Sequence, residues 1–254
     1  MYIALVFGIN IFEVFMQKTG EKIFVNIFVN VIICIVVFSI FSFSLAGEVF
    51  TFASAENEKP IYKGNQSKNN VSLMFNVYQG TEYIDGILSL LDKYDAKATF
   101  FVGGSWVNKN EQTLQKIADS QNEIGNHGFL HRSQDKLDFE KNKQEILLCH
   151  DLVFKITGQK MNLFAPPSGA FCSHTLSAAK ELGYKTIMWS KDTIDWRDHD
   201  KNVIFKRATK NLSNGDLVLM HPTKETLEAL DDILAEIKRQ NFEVVTVSCN
   251  LDQE

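Results

Sequence analysis

The sequence predicts an α/β domain with a parallel sheet from about residue 71 onward, either doubly wound or closed into a barrel. Three observations carry this expectation. Short β-rich runs alternate with amphipathic stretches as far as residue 247. Polar or proline positions follow the apolar runs at Asn76, His127, Ala165-Pro166-Pro167, Asp192, Asp195 and His221, as they do where ligands gather at strand ends. Everything before residue 71 has a different composition, an apolar leader and then a polar linker.

The elements follow in order. VSLMFNV (71–77) reads as a strand, and YIDGILSLLDKY (83–94) has helical spacing through Ile84, Ile87, Leu88 and Leu91. KATFFVG (97–103) is a second strand, followed by a helix over 111–120 and the short strand EIGNH (123–127). A long helix is expected over 136–156, then the strand MNLFAPP (161–167), closed by its prolines. SHTLSAAKELGY (173–184) reads as a helix capped by Ser173 and stopped at Gly183. The strand KTIMWS (185–190), a helix near 203–212, the strand DLVLMHP (216–222), a helix over 225–239 and the strand FEVVTV (242–247) complete the series.

Residues 1–22 form an N-terminal segment, apolar over 1–15; a start at Met16, followed by QKTGEK, would give a more ordinary signal-peptide n-region. Residues 23–46 carry no charge and are long enough to cross the ~30 Å hydrocarbon core of a bilayer as a helix. Lys18 and Lys22 before it favour a cytoplasmic N-terminus. Ser44-Leu45-Ala46 and Ala53-Ser54-Ala55 offer small-x-small cleavage patterns, so the expectation is export, with the leader either cleaved or kept as a membrane anchor. Residues 47–70 read as a linker, polar and exposed over 56–70, which leaves 71–254 as the domain.

A net charge of −5 and the lack of a basic stripe exclude a nucleic-acid partner. No pair among Cys34, Cys149, Cys172 and Cys249 has CxxC spacing, and an odd three remain outside the leader, so no disulfide framework is expected.

His127-Gly-Phe-Leu-His131 places two imidazoles four residues apart, within reach of one cation in a tight loop. Asp192-Thr-Ile-Asp195-Trp196 follows an apolar run; a carboxylate there can fix a histidine tautomer, and Trp196 offers a flat face to a sugar ring. His221, directly after LVLM, is the natural partner of that carboxylate and a candidate general acid. Leu219, Pro166 and Pro167 are candidate substrate-binding positions beside Trp196.

In motif order, KATFFVGG, EIGNHGFLH, FAPPSG, WSKDTIDW and GDLVLMH resemble the polysaccharide deacetylase family, the NodB-homology domain of carbohydrate esterase family 4. The resemblance covers residues 71–247 and looks nearest to its sporulation-associated, PdaB-like branch. It implies a distorted (β/α) barrel and removal of N-acetyl groups from a cell-wall glycan of the peptidoglycan or chitin type. It also implies a divalent metal, usually zinc, held by one Asp and two His, with a second Asp as base. Carried over, His127 and His131 match the metal ligands, His221 the general acid and Asp195 its orienting carboxylate.

The first motif departs from the family's Thr-Phe-Asp-Asp-Gly. Asn76 stands at the base position and Val77 at the metal-ligand Asp, and Ala165 replaces the third motif's Arg. Glu82, six residues beyond Asn76, is a candidate replacement base or ligand, Asp192 another, with waters as a third possibility for the metal. Two functions follow: a metal-dependent N-deacetylase with an unusual first motif, which is favoured, or a pseudoenzyme that binds glycan or a partner protein through the same groove.

Overall fold

The computed structural model describes residues 30–38 and 59–252. The chain divides into two compact units, 1–57 and 58–254. In the first, residues 30–38 form a helix, α1, with exposed side chains. No helix among the described residues is long and apolar enough to cross a membrane. Met16, both cleavage patterns and most of the expected 23–46 span lie outside the described residues.

The second unit is built on parallel strands. β1 (Asn70–Val77), β2 (Thr99–Val102), β3 (Glu123–Asn126), β4 (Leu163–Phe164), β5 (Lys185–Thr186), β6 (Lys191–Asp192) and β7 (Leu217–Met220) pair in the order β5-β4-β3-β2-β1-β7-β6. β8 (Glu243–Val244) joins the N-terminal end of β1 through Asn70 and Val71. β5 and β6 do not pair, so the sheet curls into a half-barrel with a seam, the distorted (β/α) barrel the resemblance implies.

Helices surround the sheet: α2 (Thr81–Lys93), α3 (Gly104–Val107), α4 (Glu111–Asp119), α5 (Phe139–Thr157), α6 (Ser173–Glu181), α8 (Lys201–Thr209) and α9 (Lys224–Arg239), while the short α7 (Asp195–Asp198) adjoins the cleft and α10 (Val247–Leu251) packs on the inner cluster. Their starts have local causes. Asp138, Asp200 and Thr223 each accept a backbone N–H of the first turn of α5, α8 and α9. The expected cap of α6 shifts by one: Cys172 is the N-cap, joined to Thr175, and Ser173 is already helical. Gly183, in the left-handed region at φ 75°, ends that helix as expected.

Alternation along β1 sorts the core. Leu73, Phe75 and Val77 join the large cluster between sheet and helices, where Phe75 stacks on Phe100 at 5.1 Å. Met74 belongs to a smaller cluster inside the barrel with Phe101, Leu163, Ala165, Ile187, Leu217, Leu219 and Val247. That parity sends Asn76 inward and Val77 outward, which decides the chemistry of the site.

The linker expected over 47–70 ends earlier than composition suggests. Ile61 donates its N–H to Thr186 O at 2.8 Å and accepts from Met188 N at 2.7 Å. Gly64 N bonds Gly215 O and Asn65 N bonds Asn250 O, each at 2.7 Å. These residues strap the seam, with Ile61 bridged to Ile187 and Lys63 to Asp216. Backbone hydrogen bonds need no apolar side chains, so a polar composition concealed them.

Candidate functional site

The carboxyl ends of the strands surround a cleft of about 720 Å³, lined by residues that include Asn76, Tyr78, His127, His131, Asp192, Trp196, Leu219 and His221. Four of the eight strands, β1, β3, β6 and β7, therefore deliver an expected residue to one place, as the strand-end argument requires.

The His221–Asp195 side is fully assembled. Asp195 is 0% exposed at the start of α7. Its Oδ1 accepts from His221 Nδ1 at 2.8 Å and from Trp196 N at 2.9 Å. Its Oδ2 accepts from His221 N at 2.6 Å and from Thr226 Oγ1 at 2.7 Å. With Nδ1 donating to the carboxylate, His221 turns Nε2 away from Asp195 as the ring atom free for a ligand. Thr226 was invisible to motif reasoning, because α9 brings it to Asp195 from a different element. Trp196 is 57% exposed and stands at the rim.

The two-histidine side is assembled but incomplete. His127 follows β3 and is buried; its Nδ1 lies 2.7 Å from Ala165 O, so that nitrogen carries the proton and Nε2 keeps its lone pair. Burial, then the neighbouring His131, pushes its pKa down to about 3. Burial also lowers that of His131. The two rings sit edge to face with centroids 5.1 Å apart. Glu145, on α5, clamps the loop between them by accepting from Phe129 N at 2.9 Å and Leu130 N at 2.7 Å. Tyr78, which follows Val77 where the family phrase has glycine, lays its ring 4.6 Å from that of His131.

Asn76 is 5% exposed, and its Oδ1 has no hydrogen-bond partner. Val77 is fully buried in the outer core. Glu82 lies in the first turn of α2, exposed and outside the cleft, so it neither replaces the base nor completes a ligand set. Gly80, left-handed at φ 75°, starts the helix so that residue 82 faces out. Asp192 does reach the cleft, with Oδ1 held by Ile194 N at 2.8 Å. Pro166 and Pro167 are buried and absent from the lining, where Ser168 stands instead, and Leu219 lines the cleft.

These residues do not fit the metal centre implied by the resemblance. A catalytic zinc takes three protein ligands. Two imidazoles are in place, but the third position has turned into the core as Val77, and the inward atom beside them is an unpartnered amide oxygen. Among the described residues no group of three His, Cys, Asp or Glu is arranged to hold a metal ion.

Residues 63–187 match the family model described as polysaccharide deacetylase. A peptidoglycan-N-acetylglucosamine deacetylase of Bacillus cereus is 33% identical over 70% of this chain and 86% of its own length. The chain belongs to the polysaccharide deacetylase family. YlxY of Bacillus subtilis is 37% identical over 77% of this deacetylase-family chain, a match that spans 61% of YlxY. Among solved structures, one described as a carbohydrate esterase family 4 pseudoenzyme from Bacillus anthracis superposes with a TM-score of 0.75. It is 37% identical and covers 77% of this chain and 70% of that one. A mutant of that pseudoenzyme, 36% identical here with a TM-score of 0.75 and covering 77% of this chain and 72% of its own, is described as having restored enzymatic activity.

Proposed function

We propose that this chain is a catalytically impaired polysaccharide deacetylase that holds a cell-wall glycan in its cleft without hydrolysing it. The observation that carries the reading is the end of β1. Asn76 is the inward residue and cannot take a proton as a base, while Val77 faces the outer core and has no metal-binding atom. Glu82, the nearest substitute in sequence, is out of reach. Ala165 fits the same account: an Arg there would be a buried charge with no carboxylate to pair. The groove persists, with Trp196 as a sugar platform and His221 in the same cleft as the histidine pair. The similar Bacillus anthracis protein described as a pseudoenzyme supports the reading. The expected setting is extracytoplasmic, reached through the 23–46 leader, with peptidoglycan as the partner glycan. Placement in the PdaB-like, sporulation-associated branch belongs to the same proposal.

The intact His221–Asp195 pair favours a second reading, a working deacetylase with an altered first motif. One assay decides between them: acetate release from peptidoglycan and chito-oligosaccharides by the native chain and by the chain carrying Asn76→Asp, Val77→Asp and Ala165→Arg. Release by the restored chain alone is expected. Robust release by the native chain overturns the proposal.

A further inference from the structure

The turn α7, which carries Trp196, is held unequally at its two ends. At the entry, Thr193 gives its N–H and its hydroxyl to Leu219 O on β7, at 3.2 Å and 2.9 Å, and Asp195 is locked in its own network. At the exit, the side-chain ties to other elements are ion pairs: Asp198 to Arg207 at 2.6 Å, and His199 to Glu225 at the longer 3.7 Å. Both ends are also strained. Ile194, at φ 52°, and His199, at φ 44°, are left-handed, and for a β-branched residue such as Ile194 that is a genuine outlier. Strain of this kind persists only where surrounding contacts impose it. One side chain outside the cleft reaches both ends. Arg207, on α8, donates from Nη1 to Thr193 O at 2.9 Å, and the same nitrogen makes the ion pair with Asp198 Oδ2. Arg197 also meets Asp198, at 2.6 Å, but the two are neighbours on α7 and move together. Between the tied points stands Trp196, fixed through its backbone N–H while its ring is exposed.

We propose that Arg207 is the positioning residue of the Trp196 platform: by stapling the exit of α7 to its entry, it sets the angle at which the indole meets a sugar ring. This rests on the glycan-holding reading above and adds the residue that governs how firmly the cleft grips. Arg207 is absent from the cleft lining, so it acts through Trp196 and touches no ligand itself. A guanidinium suits the task, because Nη1 carries two hydrogens for two acceptors and the group keeps its charge. An exposed ring that must be ordered on binding loses part of what it gains from the ligand. A ring held in place beforehand does not, and grips more tightly.

The test uses the full-length chain in detergent, with chitopentaose as the probe and 5-fluorotryptophan in place of tryptophan. Binding is followed by calorimetry. Fluorine NMR reads the three tryptophans, Trp106, Trp189 and Trp196, assigned through single Phe variants. Arg207→Ala should weaken binding about three- to tenfold, the cost of ordering a released side chain. It should shift or broaden the Trp196 resonance and leave those of Trp106 and Trp189 in place. Asp198→Asn should act in the same direction, and the double variant should bind no more weakly than Arg207→Ala alone, because both changes break one tie. Circular dichroism establishes that the variants fold, and Asp198→Asn carries the same test should Arg207→Ala not fold. Unchanged affinity in the folded variants overturns the positioning role and leaves the glycan-holding reading standing. Weaker binding with all three resonances moving together also overturns it, since that is a general loosening of the domain. Additive losses in the double variant overturn the staple between Arg207 and Asp198. A native chain that binds no chitopentaose overturns the glycan-holding reading and this inference with it.

Discussion

His221 is tied to Asp195 twice, through its ring Nδ1 at 2.8 Å and through its own backbone N–H at 2.6 Å. The double tie fixes both the position and the tautomer of the imidazole, and Thr226 and Trp196 N fill the remaining acceptor sites of the carboxylate. Removing the carboxylate would strand several buried donors together. Asp195→Ala should destabilise the domain by about 3 kcal/mol and Thr226→Val by about 1 kcal/mol, read from urea unfolding. The double variant should lose less than the sum, because both changes break one network. A loss below ~1 kcal/mol for Asp195→Ala would mean that the network is not holding the loop.

The fold and this half of the site were legible because their signals are local. The longer strands are short apolar runs, His127 and His221 directly follow two of them, and Asp195 comes three residues after β6, which places the three at the same ends of the strands. Three features were illegible for physical reasons. Thr226 meets Asp195 through the approach of α9, a tertiary event with no sequence spacing to report it. The strap at 61–65 is held by main-chain hydrogen bonds, which composition does not encode. Glu82 looked available at six residues from Asn76, but the left-handed turn at Gly80 starts a helix and carries it outward. The opposite parity of Asn76 and Val77 follows from strand alternation and could have been read directly.

Glu82 therefore has no part in the site. Glu82→Ala should leave chitopentaose affinity unchanged within error and stability within about 0.5 kcal/mol, as for an exposed side chain away from any special contact. A tenfold change in affinity would return Glu82 to the cleft.

Metal binding should follow the donor set. The native chain, dialysed against zinc and then buffer, should retain well under one equivalent by elemental analysis. Asn76→Asp with Val77→Asp supplies carboxylates beside His127 and His131 and should raise zinc affinity by at least tenfold. The gain requires the residue at 77 to turn from the outer core toward the histidines, which the lost hydration of a buried carboxylate favours. Stoichiometric zinc in the native chain would show that two imidazoles suffice.

Acid stability should report His127. Its pKa falls from 6.5 to about 3 in the folded chain because burial disfavours the charged ring. The unfolded chain therefore binds the proton first, and stability declines as pH drops through the window from about 6.5 to about 3. The slope from this group is ~1.4 kcal/mol per pH unit within the window and vanishes above it. Urea unfolding at pH 7.5 and pH 5 should show the decline, and His127→Gln should flatten it. An unchanged slope in that variant would assign the acid sensitivity to other groups.

The seam of the barrel offers the last prediction. At Gly64, an added Cβ would stand 2.6 Å from the backbone oxygen of Asn250 and 2.5 Å from its side-chain Oδ1. Facing it, a Cβ added at Gly215, whose φ is 80°, would stand 2.6 Å from Gly64 O, so the two segments are in close backbone contact. Ile61, two hydrogen bonds further along, packs against the inner cluster beside Ile187 and Leu217. Gly64→Ala should thus push the strap off the seam and lose about 1–3 kcal/mol, the usual cost of overfilling a packed contact. Ile61→Ala should lose about 1 kcal/mol, since the side chain is only partly buried. Removing the strap exposes the face of the barrel that carries Leu217 and Leu219, and Leu219 also lines the cleft, so both variants should weaken chitopentaose binding alongside stability. If Gly64→Ala leaves the unfolding midpoint within error of the native chain, residues 61–65 merely rest on the barrel. The domain would then begin at Asn70, where the strand pattern starts.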